Sequence, residues 1–253
     1  MKSLIAIPCY NCAIQVERVF KALMQLEFKQ EIEILFIDNN STDNTVSSLL
    51  ELRDQIPSQR KIHIWKNQLN YGLGGSQKIA INHAIKNGFD WLVLLHGDDQ
   101  ASVEDILSLL SKAQHKNHTV LGSRFMLKSK RTGYQFKRVL GNVALNLVFT
   151  LLKRKMTLDL GSGLNVFKVD QLKKISISEL SNNFNFNVDI LLNYYDQNLE
   201  FEFYPIIWRE ADQTSNAKNV AVAYSMLKSL LLNILGKKRK ITNNESVFNY
   251  SVL

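Results

Sequence analysis

Ile32-Glu33-Ile34-Leu35-Phe36-Ile37-Asp38-Asn39-Asn40-Ser41-Thr42-Asp43 reads as a buried strand that breaks off into acidic and turn-forming residues. A short apolar run of this kind belongs to a strand covered on both faces, and Ser, Thr and Asp at its end are the residue types that cap a following helix. The same pattern recurs on either side, at Leu4 to Ile7 before it and at Ile62 to Trp65 and Trp91 to Leu95 after it. Between these runs lie apolar residues at helical spacing: Val16, Val19, Phe20 and Leu23, then Val46, Leu49 and Leu50, then Ile79, Ile81, Ala84 and Ile85. Strand alternating with helix predicts an α/β fold, a mostly parallel, doubly wound sheet flanked by helices and joined by right-handed crossovers. In such a sheet ligands gather outside the carboxyl ends of the strands.

Beyond Phe125 the pattern loosens. The basic stretch Lys128 to Arg138, with Gly133, predicts a mobile loop. An apolar helix, a turn at Gly161 to Gly163, a strand Leu164 to Phe167, a helix around Val188 to Tyr195 and a strand Phe201 to Ile207 are expected to follow. With 253 residues, 45% hydrophobic, three prolines and no repeat, the chain is expected to form one continuous domain over 1–253. Its only cysteines, Cys9 and Cys12, exclude a disulfide scaffold, and their C-x-x-C spacing sits at a strand end after Pro8 rather than at a helix start, so packing is expected rather than redox chemistry. A cytosolic, reducing location is the expectation.

The strand ends carry the chemistry. The first ends in Pro8-Cys9-Tyr10-Asn11, the second in Asp38 to Asp43, the third runs on to Asn70-Tyr71-Gly72-Leu73-Gly74, and the fourth ends in His96-Gly97-Asp98-Asp99-Gln100. Capping and turn formation explain Ser41 to Asp43 and the Asn-Gly pieces. They do not explain a carboxylate directly after Ile-Leu-Phe-Ile, nor the alternation of His96, Asp98 and Gln100. On an extended segment these three side chains point to one side, where they could share a divalent cation with a diphosphate.

The ordered set Ile7-Pro8-Cys9-Tyr10-Asn11, Phe36-Ile37-Asp38-Asn39-Asn40-Ser41-Thr42-Asp43-Asn44-Thr45, Asn70-Tyr71-Gly72, His96-Gly97-Asp98-Asp99-Gln100 and Gly122-Ser123-Arg124-Phe125 resembles the family-2 glycosyltransferases, and within them the dolichyl- and polyprenyl-phosphate sugar transferases. Asp159-Leu160-Gly161-Ser162-Gly163 and Pro205-Ile206-Ile207-Trp208-Arg209 extend the likeness to about residues 3–216. Each motif alone is weak, whereas their order is specific. The resemblance implies a GT-A fold with a nucleotide-sugar-binding half over 1–125, a smaller acceptor-side half over 126–216, and a C-terminal helix and basic tail over 217–253. It implies that Asp38 bonds the base or ribose, that Pro8, Tyr10 and Asn11 wall the nucleoside, that Asn70 and Gly72 also contact the nucleotide sugar, and that Asp98 binds both donor and metal. Two departures stand out: His96 replaces the first acid of the D-x-D motif, and Asn39 reduces the usual acidic pair after the second strand. Imidazole suits Mn²⁺ better than Mg²⁺, so the metal set is expected as Asp98 and Gln100, with His96 either a third ligand or a group orienting the diphosphate.

The implied reaction is metal-dependent, inverting transfer of a hexosyl group from a UDP- or GDP-sugar to a polyprenyl phosphate or a cell-envelope glycan or glycolipid, with Mn²⁺ or Mg²⁺ as cofactor. A nucleotide-sugar-binding protein without catalysis is the alternative. Charge developing on the leaving diphosphate calls for cations, for which Arg124 and Arg209 are the candidates, with Lys137 or Arg138 adding from the loop. A hydroxyl acceptor requires a base, and Asp189 is nearest to the family's acidic position. A lipid phosphate requires none. Asp159 is either an acceptor-side carboxylate or a cap on the Gly161 turn.

Rival classes fit less well. Gly72-Leu73-Gly74-Gly75 lacks the third glycine of a dinucleotide fingerprint, where Gln77 stands. The net charge of +8 is not interleaved with aromatics as in a nucleic-acid-binding module, so no nucleic acid is expected as partner. No run reaches the length of a membrane span. Val143 to Leu152 and Val220 to Leu235 are each followed by a basic cluster, Lys153-Arg154-Lys155 and Lys237-Lys238-Arg239-Lys240. Burial is expected for the first. For the second, burial and an anionic membrane surface are equally open, the latter making the protein peripheral at the inner face of the cytoplasmic membrane.

Overall fold

Nine elements alternate through the first half of the chain: β1 (Lys2–Cys9), α1 (Ala13–Gln25), β2 (Glu31–Asp38), α2 (Thr45–Asp54), β3 (Lys61–Asn67), α3 (Gly72–Lys86), β4 (Trp91–Leu95), α4 (Asp105–Lys116) and β5 (Thr119–Ser123). Then come β6 (Lys130–Thr132), α5 (Phe136–Lys153), β7 (Leu164–Lys168), α6 (Val169–Leu172), α7 (Phe186–Asp196), β8 (Phe201–Pro205), β9 (Ile207–Arg209), α8 (Asn219–Ile234) and β10 (Tyr250–Val252). This is a computed structural model, and it describes residues 1–56, 60–212, 219–236 and 248–253.

The main sheet has the order β10-β3-β2-β1-β4-β7-β5-β8. β3, β2, β1 and β4 are parallel neighbours, β7 runs antiparallel between β4 and β5, and β8 lies parallel to β5. The chain winds outward from β1 to β3 and then returns to the other side of β1 as β4, which opens a crevice at the carboxyl ends of β1 and β4. β1 shows why its apolar run is continuous: Leu4 and Ala6 enter one core layer with α3 and α7, while Ile5, Ile7 and Cys9 enter the other with α1 and α4. The crevice is tight at its root. Gly97 N–H donates to Pro8 O at 3.0 Å, and a Cβ on Gly97 would sit 2.6 Å from Cys9 Sγ. Both cysteines are free and buried, and burial, then the neighbouring Cys12, pushes the Cys9 thiol pKa up.

Three expectations need correction. The stretch Lys128 to Arg138 is ordered at its centre: β6 pairs with β9, with Arg131 opposite Trp208. Gly133 follows at φ +75°, its missing Cβ occupied by the Glu210 carbonyl, and this close approach is open only to glycine. The segment 96–100 is not extended. It is a turn, with Asp99 at φ +56°, so Asp98 and Asp99 face different partners. Finally, Val143 to Leu152 is not buried. Within α5 only Asn146 and Phe149 are buried, while Leu140 (60% exposed), Leu147 (56%) and Leu151 (66%) face outward with Phe136 and Val143. Apolar residues surround this helix, and the body of the protein covers one stripe of it.

α8 behaves similarly: Leu230 and Ser229 are buried, and Tyr224, Leu231, Ile234 and Leu235 are exposed. The basic cluster Lys237 to Lys240 lies outside the described residues. No helix among the described residues is long and apolar enough to cross a membrane.

Candidate active site

A cavity of about 900 Å³ opens at the β1–β4 crevice and runs toward α5, α7 and α8. Pro8, Tyr10 and Asn11 line it from the end of β1. Asn11, at φ +48°, is locked to the loop after β2: its N–H donates to Ser41 Oγ at 2.9 Å, and its Oδ1 accepts from Thr42 N–H at 2.9 Å. Asp43 joins the same two elements, accepting from Ala13 N–H and Thr45 N–H at the starts of α1 and α2.

Asp38 is fully buried and does not line the cavity. Its Oδ2 accepts from Ser41 N–H at 3.1 Å, and its Oδ1 is buried with no partner among the described residues. The neighbouring Asn39 reaches the cavity instead. Asn39 Oδ1 accepts from Asn67 Nδ2 (3.0 Å) and Tyr71 N–H (2.9 Å), and Asn39 Nδ2 donates to Asn70 Oδ1 (2.7 Å), which also accepts from Gly72 N–H (2.9 Å). An amide both donates and accepts, so it can close this hub where a carboxylate, acceptor only, could not. That accounts for one of the two departures from the family pattern. Asn70 and Gly72 line the cavity with Asn39.

At the end of β4, His96, Asp98 and Gln100 all line the cavity despite the turn between them. Asp98 Oδ1 accepts from Gln100 N–H at 3.2 Å. Burial raises the Asp98 pKa, and nearby His96 partly offsets this. Burial lowers the His96 pKa, with Asp98 opposing, and Gln77 Nε2 lies 3.2 Å from the His96 Nε2. Asp99 turns away and accepts from Arg18 Nε (2.7 Å) and Arg209 Nη2 (3.3 Å). Arg209 is thereby drawn to the outside of the turn and is not a cavity-lining residue. Asp98 offers oxygen to a cation, and no group of three His, Cys, Asp or Glu side chains capable of holding a metal occurs among the described residues. The donor set therefore fits a cation held by few protein oxygens, the remainder coming from a diphosphate and water, as Mg²⁺ or Mn²⁺ accepts. His96, its Nε2 occupied by Gln77, is the poorest fit of the three expected ligands.

Beyond β5 Arg124 lines the cavity, but its guanidinium is committed. Nε and Nη2 donate to Asp159 at 2.8 and 2.7 Å, the Arg124 N–H donates to Asp159 Oδ2 at 2.9 Å, and the cation lies over the Trp208 ring at 4.8 Å. Burial works against its charge, and the Asp159 carboxylate more than offsets this, leaving the pKa above the ordinary arginine value. Asp159 also accepts from Gly161 N–H at 3.1 Å, so it caps the turn and anchors Arg124 at once. Lys137 and Arg138 line the cavity from α5, with Arg138 paired to Glu210 at 2.5 Å.

Asp189 is directed elsewhere. Its carboxylate accepts from Ser181 N–H at 2.9 Å and from Ser181 Oγ, and it does not line the cavity. Asn187 does, with its Oδ1 buried and unpartnered among the described residues. Positions two apart on a helix differ by about 200° around its axis, so only one of the pair can face the site. Among the described lining residues, Asp98 is the single carboxylate.

The sequence profile described as Glycosyl transferase family 2 matches residues 4–168, well over half of the chain. The chain belongs to that family. It is a glycosyltransferase, and its fold is GT-A: it superposes on Mycobacterium tuberculosis glucosyl-3-phosphoglycerate synthase with a TM-score of 0.66 at 14% identity, over 94% of this chain and 82% of that one. Staphylococcus aureus TarS 1-349, in complex with UDP-GlcNAc, superposes with a TM-score of 0.62 at 15% identity, over 95% and 68%. Among sequences, this family-2 chain is 24% identical over 243 residues to the UDP-N-acetylglucosamine–dolichyl-phosphate N-acetylglucosaminyltransferase of Methanococcus voltae, covering 91% of this chain and 95% of the relative. An uncharacterised glycosyltransferase of Mycoplasma genitalium is 29% identical over 125 residues, and there the match spans 48% of this chain but only 40% of the relative.

Proposed function

We propose that this enzyme transfers a sugar from a UDP-sugar to an acceptor that attacks through an already anionic oxygen, a polyprenyl phosphate. The carrying observation is the lining itself: among the described lining residues the one carboxylate is Asp98, at the end of β4, and α7 presents the amide Asn187 where a hydroxyl acceptor would need a base. A phosphate oxygen attacks the anomeric carbon, the bond from that carbon to the diphosphate oxygen breaks, its electron pair leaves on the diphosphate, and no proton moves. A single displacement of this kind inverts the anomeric centre. The M. voltae relative, by its name, uses UDP-N-acetylglucosamine and dolichyl phosphate, and structural neighbours hold UDP and Mn²⁺.

In this reading Pro8, Tyr10, Asn11 and the Asn39 hub receive the nucleoside. Asp98 and Gln100 hold a divalent cation that neutralises charge on the leaving diphosphate. Arg124 presents a positive edge fixed by Asp159, and among the described lining residues Lys137 is a cation exposed enough to follow the phosphate. α5 supports a lipid acceptor. Arg138, Gly141, Asn142 and Leu145 line the cavity while Phe136, Leu140, Leu147 and Leu151 point outward, flanked by exposed Lys137 and Arg154. An apolar helical face between cations suits the surface of an anionic bilayer.

The test is transfer of labelled sugar from a panel of UDP-sugars with Mn²⁺ to undecaprenyl phosphate and, in parallel, to undecaprenol. Turnover with the phosphate and none with the alcohol is expected. Equal turnover with the alcohol would sink the anionic-acceptor reading.

A further inference from the structure

The last described residues of the chain return to the donor side of the molecule. β10 adds to the free edge of β3 in antiparallel register, Tyr250 opposite Asn67 and Val252 opposite Trp65. The Tyr250 ring stacks on Trp65 at 4.3 Å between centroids and 9° between planes. Arg53 Nη1 donates to Leu253 O at 2.8 Å, and Leu253 N–H donates to Ile64 O at 2.9 Å. The segment just before β10 grips one residue, Tyr71. Phe248 packs edge-on against the Tyr71 ring at 5.1 Å, the Tyr71 hydroxyl donates to Asn249 O at 3.2 Å, and it accepts from Asn249 N–H at 3.1 Å.

Tyr71 lies between Asn70 and Gly72, both on the cavity wall, and its own N–H closes the Asn39 hub. The ring has room because position 75 is glycine: a Cβ there would stand 2.6 Å from Tyr71 Cβ and 3.5 Å from the Phe248 ring. We propose that Phe248–Leu253 is a positioning element of the donor site, holding Tyr71 from outside so that Asn70 and Gly72 keep their place on the cavity wall. The proposal rests on the reading of that wall as the nucleotide's. A three-residue edge strand adds little to a sheet of this size, so its effect should fall on the loop it grips. A wall that is set beforehand binds more tightly than one ordered on binding, and a loop competent for a tenth of the time would weaken binding about tenfold.

The experiment compares the intact chain with a chain ending at Val247 and with Phe248→Ala, Tyr250→Ala and Tyr250→Phe. Affinity for UDP, GDP and dTDP is measured by calorimetry with Mn²⁺, and amide hydrogen exchange is followed at Tyr71 and Gly72. Truncation and the two alanine variants should weaken nucleotide binding about tenfold, raise KM for the donor with kcat little changed, and speed exchange at those two amides. Tyr250→Phe, which keeps the stacking ring, should restore intact behaviour. Unchanged affinity in the truncated chain and in both alanine variants overturns the proposal. Should the intact chain bind none of the three nucleotides, the donor reading falls, and unchanged exchange at Tyr71 and Gly72 then overturns the positioning role on its own.

Discussion

Two walls of one cavity are built on opposite plans. The wall proposed for the donor is an interlocked set of short-range hydrogen bonds: Asn39 bonds Asn67, Asn70 and Tyr71, and Asn11 is tied to Ser41 and Thr42. The acceptor wall hangs on one buried ion pair, Arg124 with Asp159, and on α5, whose outer face has no protein against it among the described residues. The first wall is braced within itself. The second has an apolar side that no described residue covers.

The comparison breaks most visibly at its centre. On the proposed reading, Asp98→Ala should lower transfer about a thousandfold with only a small change in melting temperature, since one turn hydrogen bond is lost; activity that survives the substitution, or that persists in EDTA, removes the metal from the mechanism. Next comes Asp159→Ala, which strands the Arg124 charge in the interior. It should cost about 3 kcal/mol of stability, measured by denaturant unfolding, and should loosen the acceptor wall while nucleotide affinity holds.

Smaller still is the expected effect of Leu140→Ser, Leu147→Ser and Leu151→Ser together. Binding to phosphatidylglycerol vesicles should fall about tenfold or more, with the fold retained because these side chains are mostly exposed. Flotation equal to that of the parent chain would show that α5 does not meet lipid.

The smallest concerns Lys78, buried beneath the loop before α7, where its Nζ donates to Ser178 O at 3.2 Å and to Leu180 O. Desolvation lowers its pKa to about 8, against the pull of Asp189. The unfolded chain therefore holds more protons between about pH 8 and the ordinary lysine range, so stability should rise with pH across that window. In Lys78→Met that part of the slope should vanish. A slope identical to the parent's would place the titration elsewhere.

How much of this could be read in advance follows from the range of the interactions. The strands of the donor half were legible because burial on both faces leaves a continuous apolar run, and their polar ends were legible because the run stops there. The exposure of α5 was not, since periodicity reveals an apolar face and not what covers it. Asn187 and Asp189 share one helix, and the sequence does not say which side of that helix meets the cavity. Arg124 could be placed after a strand, but its partner Asp159 is fixed by a loop 35 residues away. Asp38 was expected at the nucleotide and is shielded from the cavity, while Asn39, noted only as a missing acid, closes the hub. β10 has three residues, too few for any alternation to show, and exists because the β3 edge is there to receive it.

The cysteine pair at the root of the crevice has a practical use. Cys9 and Cys12 are the chain's only thiols, both are buried, and the Cys9 pKa is pushed up, which leaves little thiolate for an alkylating reagent to find. A cysteine introduced at Leu147, on the outer face of α5, would be far more accessible than either native thiol. A polarity-sensitive fluorophore attached there would report directly whether that face meets a bilayer.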